Sequence, residues 1–187
     1  GGAVPNEVVA KLSSTGTVCL YTLAGTDLVV DVTGWTPPVP TYVPLVPARL
    51  LDTRPGEPTV DGLFAGVGRQ LAGATLELQV GGRGGVADDA AAAVVNLTSV
   101  FPDTSGFVTV FPCDEPLPVA STLNVAGGGV VANEVVARLS ASGTICLYTL
   151  GATDLVVDVT GWIPDTVGFV ALVPGRLLDT RQGQPTI

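Results

Sequence analysis

The sequence DLVVDVTGW occurs twice in this chain, as residues 27–35 and, unchanged, as residues 154–162. Successive side chains of an extended segment point to opposite faces. One face of the first copy carries Leu28, Val30 and Val32, and the other carries Val29, Asp31 and Thr33. This alternation, in a segment rich in β-branched residues, predicts a β-strand in each copy.

The repeat extends on both sides of this segment at one constant offset, the 127 residues that separate Asp27 from Asp154. Residues 6–10 return as 133–137, residues 19–23 as 146–150, and residues 49–54 (RLLDTR) as 176–181. Roughly two-thirds of the paired positions between 1–60 and 128–187 are identical, which indicates a true tandem repeat.

Prolines after each Trp suggest where one unit ends, because stiff Pro-rich segments suit linkers and cannot continue a sheet. This frame makes residues 1–36 the C-terminal part of one repeat and 37–41 a linker. A complete repeat then spans 42–164, and 165–187 are a linker and the start of the next repeat. A frame that cuts within the glycines at 126–129 is the alternative.

The complete unit is predicted to be all-β, with about nine short antiparallel strands. Alternating segments place strands at 7–12, 17–23, 49–52, 75–80, 94–100, 107–111 and 121–125, and at the shifted copies of the first few. Short strands between Gly- and Pro-rich turns favour a jelly-roll-like β-sandwich, with a β-barrel as the alternative. Residues 90–93 are predicted to form at most one helical turn.

Composition narrows the function. The chain has 187 residues, 13% of them charged, a net charge of −9 and no basic run, which argues against a nucleic-acid partner. No apolar stretch is long enough for a membrane helix. The absence of His removes Ser-His-Asp catalysis and the usual zinc sites. We therefore expect no enzyme activity, no cofactor and no metal.

The cysteines have a simple account in terms of the repeat. The complete unit carries Cys113 and Cys146, and Cys19 is the repeat copy of Cys146. The copy of Cys113 that would pair with Cys19 falls before position 1. We predict a Cys113–Cys146 disulfide, typical of extracellular proteins, against the alternative of two buried free thiols.

Acidic and basic side chains recur together in both copies. One interpretation is a catalytic or calcium-binding acid cluster. The favoured interpretation is a structural network that locks the strand after the linker onto the sheet, because a buried carboxylate needs a partner. The network residues are Asp31, Arg49, Asp52, Arg54, Asp158, Arg176, Asp179 and Arg181.

Two further sets of side chains have a functional and a structural interpretation. Trp35 and Trp162, with Tyr21 and Tyr148, could form a sugar-stacking platform, whereas one Trp per unit beside a Pro linker more often packs a domain end or interface. Asp88, Asp89 and Asp103 could bind Ca²⁺, but their spacing matches no calcium loop.

Six segments of the complete unit follow one another in a specific order: VPARLLDTR (46–54), AVVNLT (93–98), GFVTVFPC (106–113), STLN (121–124), ANEVV (132–136) and LVVDVTGW (155–162). In order and spacing they resemble a tandem β-repeat of large secreted and cell-surface proteins of Actinobacteria and other soil bacteria. Trp162 stands where that repeat commonly has Tyr or Phe. The resemblance implies arrays or modules beside surface enzymes, and no catalytic residue.

These observations predict a structural repeat module of a secreted or cell-surface array, stalk or filament, whose partners are other copies of itself or neighbouring repeats. Strand exchange through segments 1–36 or 168–187 would let one subunit complete the next. The alternative function is a β-sandwich module that binds glycan, with cell-wall glycan as the partner.

Overall fold

The structure, a computed structural model, describes residues 13–20, 22, 24–35, 42–165 and 170–182. The regular elements that the structure describes in full are β-strands. They are β1 (Val29–Trp35), β2 (Val43–Asp52), β3 (Thr75–Gln79), β4 (Ala90–Val100), β5 (Gly106–Pro112), β6 (Leu123–Val125), β7 (Val130–Arg138), β8 (Thr144–Thr149), β9 (Asp154–Pro164) and β10 (Val170–Asp179).

Strands β2 to β9 form two four-stranded antiparallel sheets. Their orders are β2-β9-β4-β7 and β3-β8-β5-β6, which is the strand order of a jelly roll. Neither sheet closes on itself, so the β-sandwich prediction is confirmed and the barrel alternative is wrong. The segment 42–164 holds eight strands, close to the nine expected.

The core lies between the two sheets and is aliphatic. Its fully buried side chains include Leu50, Leu51, Leu78, Val95, Leu97, Val110, Leu123, Ile145, Leu147 and Leu155. Strand β2, which contains Pro44 and Pro47, lies at the edge of its sheet. Proline lacks an N–H and is tolerated there.

Two local predictions were wrong, because neighbouring strands decide the conformation of both segments. Residues 90–93 begin the central strand β4 instead of a helical turn, because β7 and β9 pair with it on both sides. Residues 17–20 form no strand, although their copies lie in β8. Strand β8 pairs with β3 and β5, whose counterparts for residues 17–20 fall before position 1. A strand without partners is not stable.

The predicted linker 37–41 and the predicted strand 7–12 lie outside the described residues. Strands β1 and β10, which flank the complete unit in sequence, pair with each other in a two-stranded antiparallel sheet. This third sheet brings together segments that the sequence assigns to two different repeats.

Candidate functional site: an arginine–aspartate clasp that occurs twice

In the complete unit, an ion network joins the first strand, β2, to the last strand, β9. Arg49 lies opposite Asp158 in the β2–β9 register. Its Nε donates to Asp158 Oδ1 at 2.9 Å, and its Nη1 donates to Asp52 Oδ2 at 3.0 Å. One guanidinium thus ties a carboxylate of β9 to a carboxylate at the end of β2.

Asp52 is the buried centre of this network. It is fully buried and also accepts hydrogen bonds from the backbone N–H of Arg54 at 3.1 Å and from Arg54 Nε at 3.0 Å. Burial raises the pKa of Asp52, but the hydrogen bonds from Arg54 outweigh it and hold that pKa below its usual range. The Asp52 carboxylate is therefore kept ionised by its neighbours.

Thr53 extends this network of Arg49, Asp52, Arg54 and Asp158, which we call the clasp, along the strand ends. Thr53 Oγ1 donates to Asp154 Oδ1 at 2.8 Å and accepts from the backbone N–H of Leu155 at 2.9 Å. Arg69 Nη1 donates to Asp154 Oδ2 at 2.8 Å. The Asp-Thr-Arg part of RLLDTR and the first Asp of DLVVDVTGW therefore meet at one end of the sheet.

The β1–β10 sheet repeats the register of β2–β9 at the 127-residue offset, bulges included. Its pairs are Val29↔Asp179, Val30↔Leu178, Asp31↔Arg176, Val32↔Gly175, Gly34↔Ala171 and Trp35↔Val170. Their copies are Val156↔Asp52, Val157↔Leu51, Asp158↔Arg49, Val159↔Ala48, Gly161↔Pro44 and Trp162↔Val43. Repeats of one sequence have thus formed the same strand pair twice.

The side-chain contacts of the clasp recur as well. Arg176 Nε donates to Asp31 Oδ1 at 3.3 Å and its Nη1 donates to Asp179 Oδ2 at 3.5 Å. Arg181 Nε donates to Asp179 Oδ1 at 2.9 Å and lowers the pKa of that carboxyl to about 2. Thr180 Oγ1 donates to Asp27 Oδ1 at 3.0 Å, as Thr53 does to Asp154. All eight residues of the predicted Asp/Arg network therefore lie in two equivalent clasps.

The clasp carboxylates have little room for other chemistry. Asp52 and Asp158 share one guanidinium, and Asp52 is fully buried. Asp103, of the suggested calcium site, accepts from Arg69 at 2.7 Å. In the part of the chain that the structure describes, no three His, Cys, Asp or Glu residues are grouped as metal ligands would be.

An open cleft of about 510 Å³ lies where strand β4 begins and strand β7 ends. Its polar lining consists of Asp88, Asp89, Asp114, Asp165, Ser140 and Arg138. Arg138 donates to Glu115 at 3.0 Å, and Asp114 accepts from the backbone N–H of Ala141 at 3.0 Å. Arg138 and Asp114 of the cleft therefore have partners within the unit itself.

The aromatic residues of the suggested platform that the structure describes lie on three different strands, Trp35 on β1, Trp162 on β9 and Tyr148 on β8. Trp162 packs partly buried against the core, whereas its copy Trp35 is 53% exposed at the end of β1. Tyr148 lies on β8, in the other sheet, 6.0 Å from the ring of Phe107. Tyr21 lies outside the described residues. Among the members of this set that the structure describes, Trp35 is the most exposed.

A disulfide joins Cys113 to Cys146. Strand β8 carries Cys146, and Cys113 follows directly after β5, the strand that pairs with β8. Cys19, the copy of Cys146, is a free and exposed thiol. The pairing is the one that the repeat arithmetic predicts.

Two arginines that hold the unit together were missed by the sequence analysis. Arg83 is 6% exposed, donates to Asp61 Oδ2 at 2.7 Å and to the Leu50 carbonyl at 2.9 Å, and lies 5.1 Å from the Phe64 ring centroid. Arg69 bridges Asp154 and Asp103. Both lie in the part of the repeat that occurs once in this sequence, so neither arginine has a second copy that would mark it as a recurring residue.

Comparisons with protein-family models, with curated proteins and with solved structures found no match. Among the residues that the structure describes, none belongs to a helix with the length and apolarity needed to cross a bilayer.

Proposed function

We propose that this chain is a structural repeat module of a secreted or cell-surface array, stalk or filament, and that it is not an enzyme. The observation that carries the proposal is the second clasp. Strands β1 and β10, from two different repeats, pair in the register of the complete unit. A module whose first and last strands recognise each other across repeats has the means to join units end to end.

The chemistry of the described residues supports a mechanical role. The recurring acids are bound by arginine, and the sequence contains no His that could act as a general base. The disulfide fits an oxidising, extracellular compartment. Close repetition is common in proteins selected for length or multivalency.

Strand exchange follows from the same register. A β10 strand that pairs with β1 of its own chain would make identical contacts with β1 of a second chain. Protein concentration decides whether β10 pairs with β1 of its own chain or of a second chain, because only the second pairing is intermolecular. At high concentration, β1–β10 pairs formed between chains would link molecules head to tail into an open series.

A cysteine pair placed on separate chains tests this exchange. One chain carries Val30→Cys and the other Leu178→Cys, which are register partners, and both carry Cys19→Ser. Residues directly opposite in an antiparallel pair are within disulfide range. Mixed at high concentration and oxidised, the two chains should form a covalent heterodimer.

The matched control replaces Leu178→Cys by Leu71→Cys, an exposed position on the complete unit. Heterodimer with Leu178→Cys but not with Leu71→Cys supports strand exchange. Equal yields in both mixtures, or monomers alone, would contradict it. Electron microscopy of the concentrated protein under non-reducing conditions then shows whether exchanged chains form fibres with an axial repeat of one sandwich.

A glycan-binding module is the second candidate, and the exposed indole of Trp35 favours it. Sugar rings stack on exposed aromatic faces. Insoluble bacterial cell wall should then retain the protein, and Trp35→Ala should reduce the retained fraction several-fold. Retention that is the same for both proteins, or absent, would remove this candidate.

A further inference from the structure

The β1–β10 sheet exposes apolar side chains whose copies are buried. Leu177 and Leu178 are 54% and 38% exposed, whereas their copies Leu50 and Leu51 are both 0% exposed. Val29 is 42% exposed. Its copy, Val156 of β9, is 4% exposed. The two sheets have the same register and ion pairs, so the difference lies in what covers them.

In the complete unit, the strands that correspond to β1 and β10 are β9 and β2, and other segments of the unit cover them. Strand β4 pairs with β9 on the side away from β2. The Phe64 carbonyl accepts from the Asp52 N–H at 3.2 Å, and Gly66 N–H donates to the Asp52 carbonyl at 2.8 Å. Gly84 lies so close that a Cβ there would be 3.0 Å from the Leu50 side chain. All of these covering groups belong to residues 61–127.

That segment also supplies three of the four strands of the sheet that faces β2 and β9. Leu78 of β3, Val110 of β5 and Leu123 of β6 share one hydrophobic cluster with Leu50 and Leu51. The counterparts of residues 61–127 for the β1–β10 sheet fall outside the 187-residue sequence on both sides. A second copy offers no spare cover, because its own 61–127 is packed on its own β2 and β9.

We infer that the β1–β10 face is a docking surface for a polypeptide with the sequence of residues 61–127, supplied by a repeat in which that segment is not already packed on its own β2 and β9. That other repeats are present to supply this segment rests on the proposed function. The docked segment would add its β4 to the outer edge of β1 and place its β3, β5 and β6 over Leu177 and Leu178.

Cys19 gives the proposal a second, independent observation. Its copy Cys146 is bonded to Cys113, which lies within 61–127. A docked segment would bring its own Cys113 to the free thiol of Cys19. With oxidised glutathione as the oxidant, the two thiols would form one disulfide and lose two protons and two electrons, which convert the oxidant to two molecules of glutathione.

The experiment mixes the full-length chain with a polypeptide of residues 61–127 in oxidised glutathione buffer, and mass spectrometry maps the disulfides. We expect a Cys19–Cys113 crosslink between chain and probe, absent when the probe carries Cys113→Ser. A shorter probe, residues 88–101, represents β4 alone. Fluorescence anisotropy measures the binding of both probes to the full-length chain. The double variant Leu177→Asp, Leu178→Asp should weaken binding of the long probe by at least about tenfold.

Leu71→Asp is the matched control, since Leu71 is exposed on the complete unit and should not affect binding. Near-ultraviolet circular dichroism and an intact Cys113–Cys146 bond verify that the sandwich stays folded. No Cys19–Cys113 crosslink, or equal binding to the double variant and the wild type, would overturn the proposal. The probe experiment could fail while the Val30→Cys and Leu178→Cys chains still form a heterodimer. That result would contradict the docking of residues 61–127 and would leave the strand-exchange proposal supported.

Discussion

Arg176 and Asp31 lie 145 residues apart in sequence, yet the Nε of the first donates to the Oδ1 of the second at 3.3 Å. They occupy the register position of Arg49 and Asp158, whose corresponding distance is 2.9 Å. The same two side-chain atoms, an arginine Nε and an aspartate Oδ1, thus make the same contact once inside a complete sandwich and once outside it. This pair of clasps allows the contribution of the sandwich to be separated from that of the clasp.

Arg49→Gln should lower the free energy of unfolding of the sandwich by about 2–3 kcal/mol, because it deprives the buried Asp52 and the half-buried Asp158 of a charged donor. Urea unfolding measures the change. The equivalent Arg176→Gln should leave the main transition within about 0.5 kcal/mol, since its partners lie outside the sandwich. Equal changes in the free energy of unfolding for the two variants would contradict the predicted difference between the clasp inside the sandwich and the clasp outside it.

Acid should destabilise the protein partly through Asp61. The side-chain hydrogen bond from Arg83 lowers the pKa of Asp61 to about 2, below the value of about 4 expected for an unfolded chain. The stabilisation is therefore fully present above about pH 4 and is lost as pH falls toward 2. Asp61→Asn should lower stability at pH 7 and flatten this part of the stability–pH curve, as followed by urea unfolding at each pH. An unchanged slope would contradict the assignment.

Removing the disulfide should cost about 3–4 kcal/mol by loop-closure arithmetic, because Cys113 and Cys146 are 33 residues apart. The double variant Cys113→Ser, Cys146→Ser should therefore melt well below the wild type in calorimetry. Cys19→Ser should leave the melting temperature unchanged, since that thiol is exposed and free. A lowered melting temperature for Cys19→Ser would mean that residue 19 contributes to the sandwich.

Two glycines separate backbone strain from packing. Gly84 has a φ of +57°, and a Cβ there would lie 3.0 Å from side-chain atoms of Leu50 and Val159. Gly56 has a φ of +81° with open space around it. Gly56→Ala should cost about 1–2 kcal/mol for the left-handed backbone, and Gly84→Ala about 1–3 kcal/mol more for overpacking. Chemical unfolding of both variants checks the difference, and similar costs would show that the Gly84 loop yields easily.

Much of the fold followed from pattern because each strand of the repeat is locally consistent. Alternation located β5 and β9, and the duplicated RLLDTR and DLVVDVTGW identified the clasp residues before any contact was known. Alternation failed at residues 90–93, where a short alanine run has no period and its two neighbouring strands decide its conformation. Arg83 was missed because its five hydrogen bonds reach four residues, Asp61, Leu63, Leu50 of β2 and Gln79 of β3, and no sequence pattern brings these together.

The repeat also separates what local sequence determines from what needs a partner. The turn at Ser13–Thr17 has the contacts of its copy at Ser140–Thr144, including hydroxyl pairs of 2.7 Å in both. Four or five residues suffice for such a turn, because its hydrogen bonds are local.

The residues that follow the two turns have different conformations. Thr144–Thr149 forms β8 between two partner strands, whereas 17–20 remains irregular and exposed without them. Sequence by itself thus determined the turns, the strand periodicity and the pairing chemistry of the clasp. Tertiary structure alone decided which copy became a buried sandwich, because backbone hydrogen bonds and apolar burial require neighbouring strands.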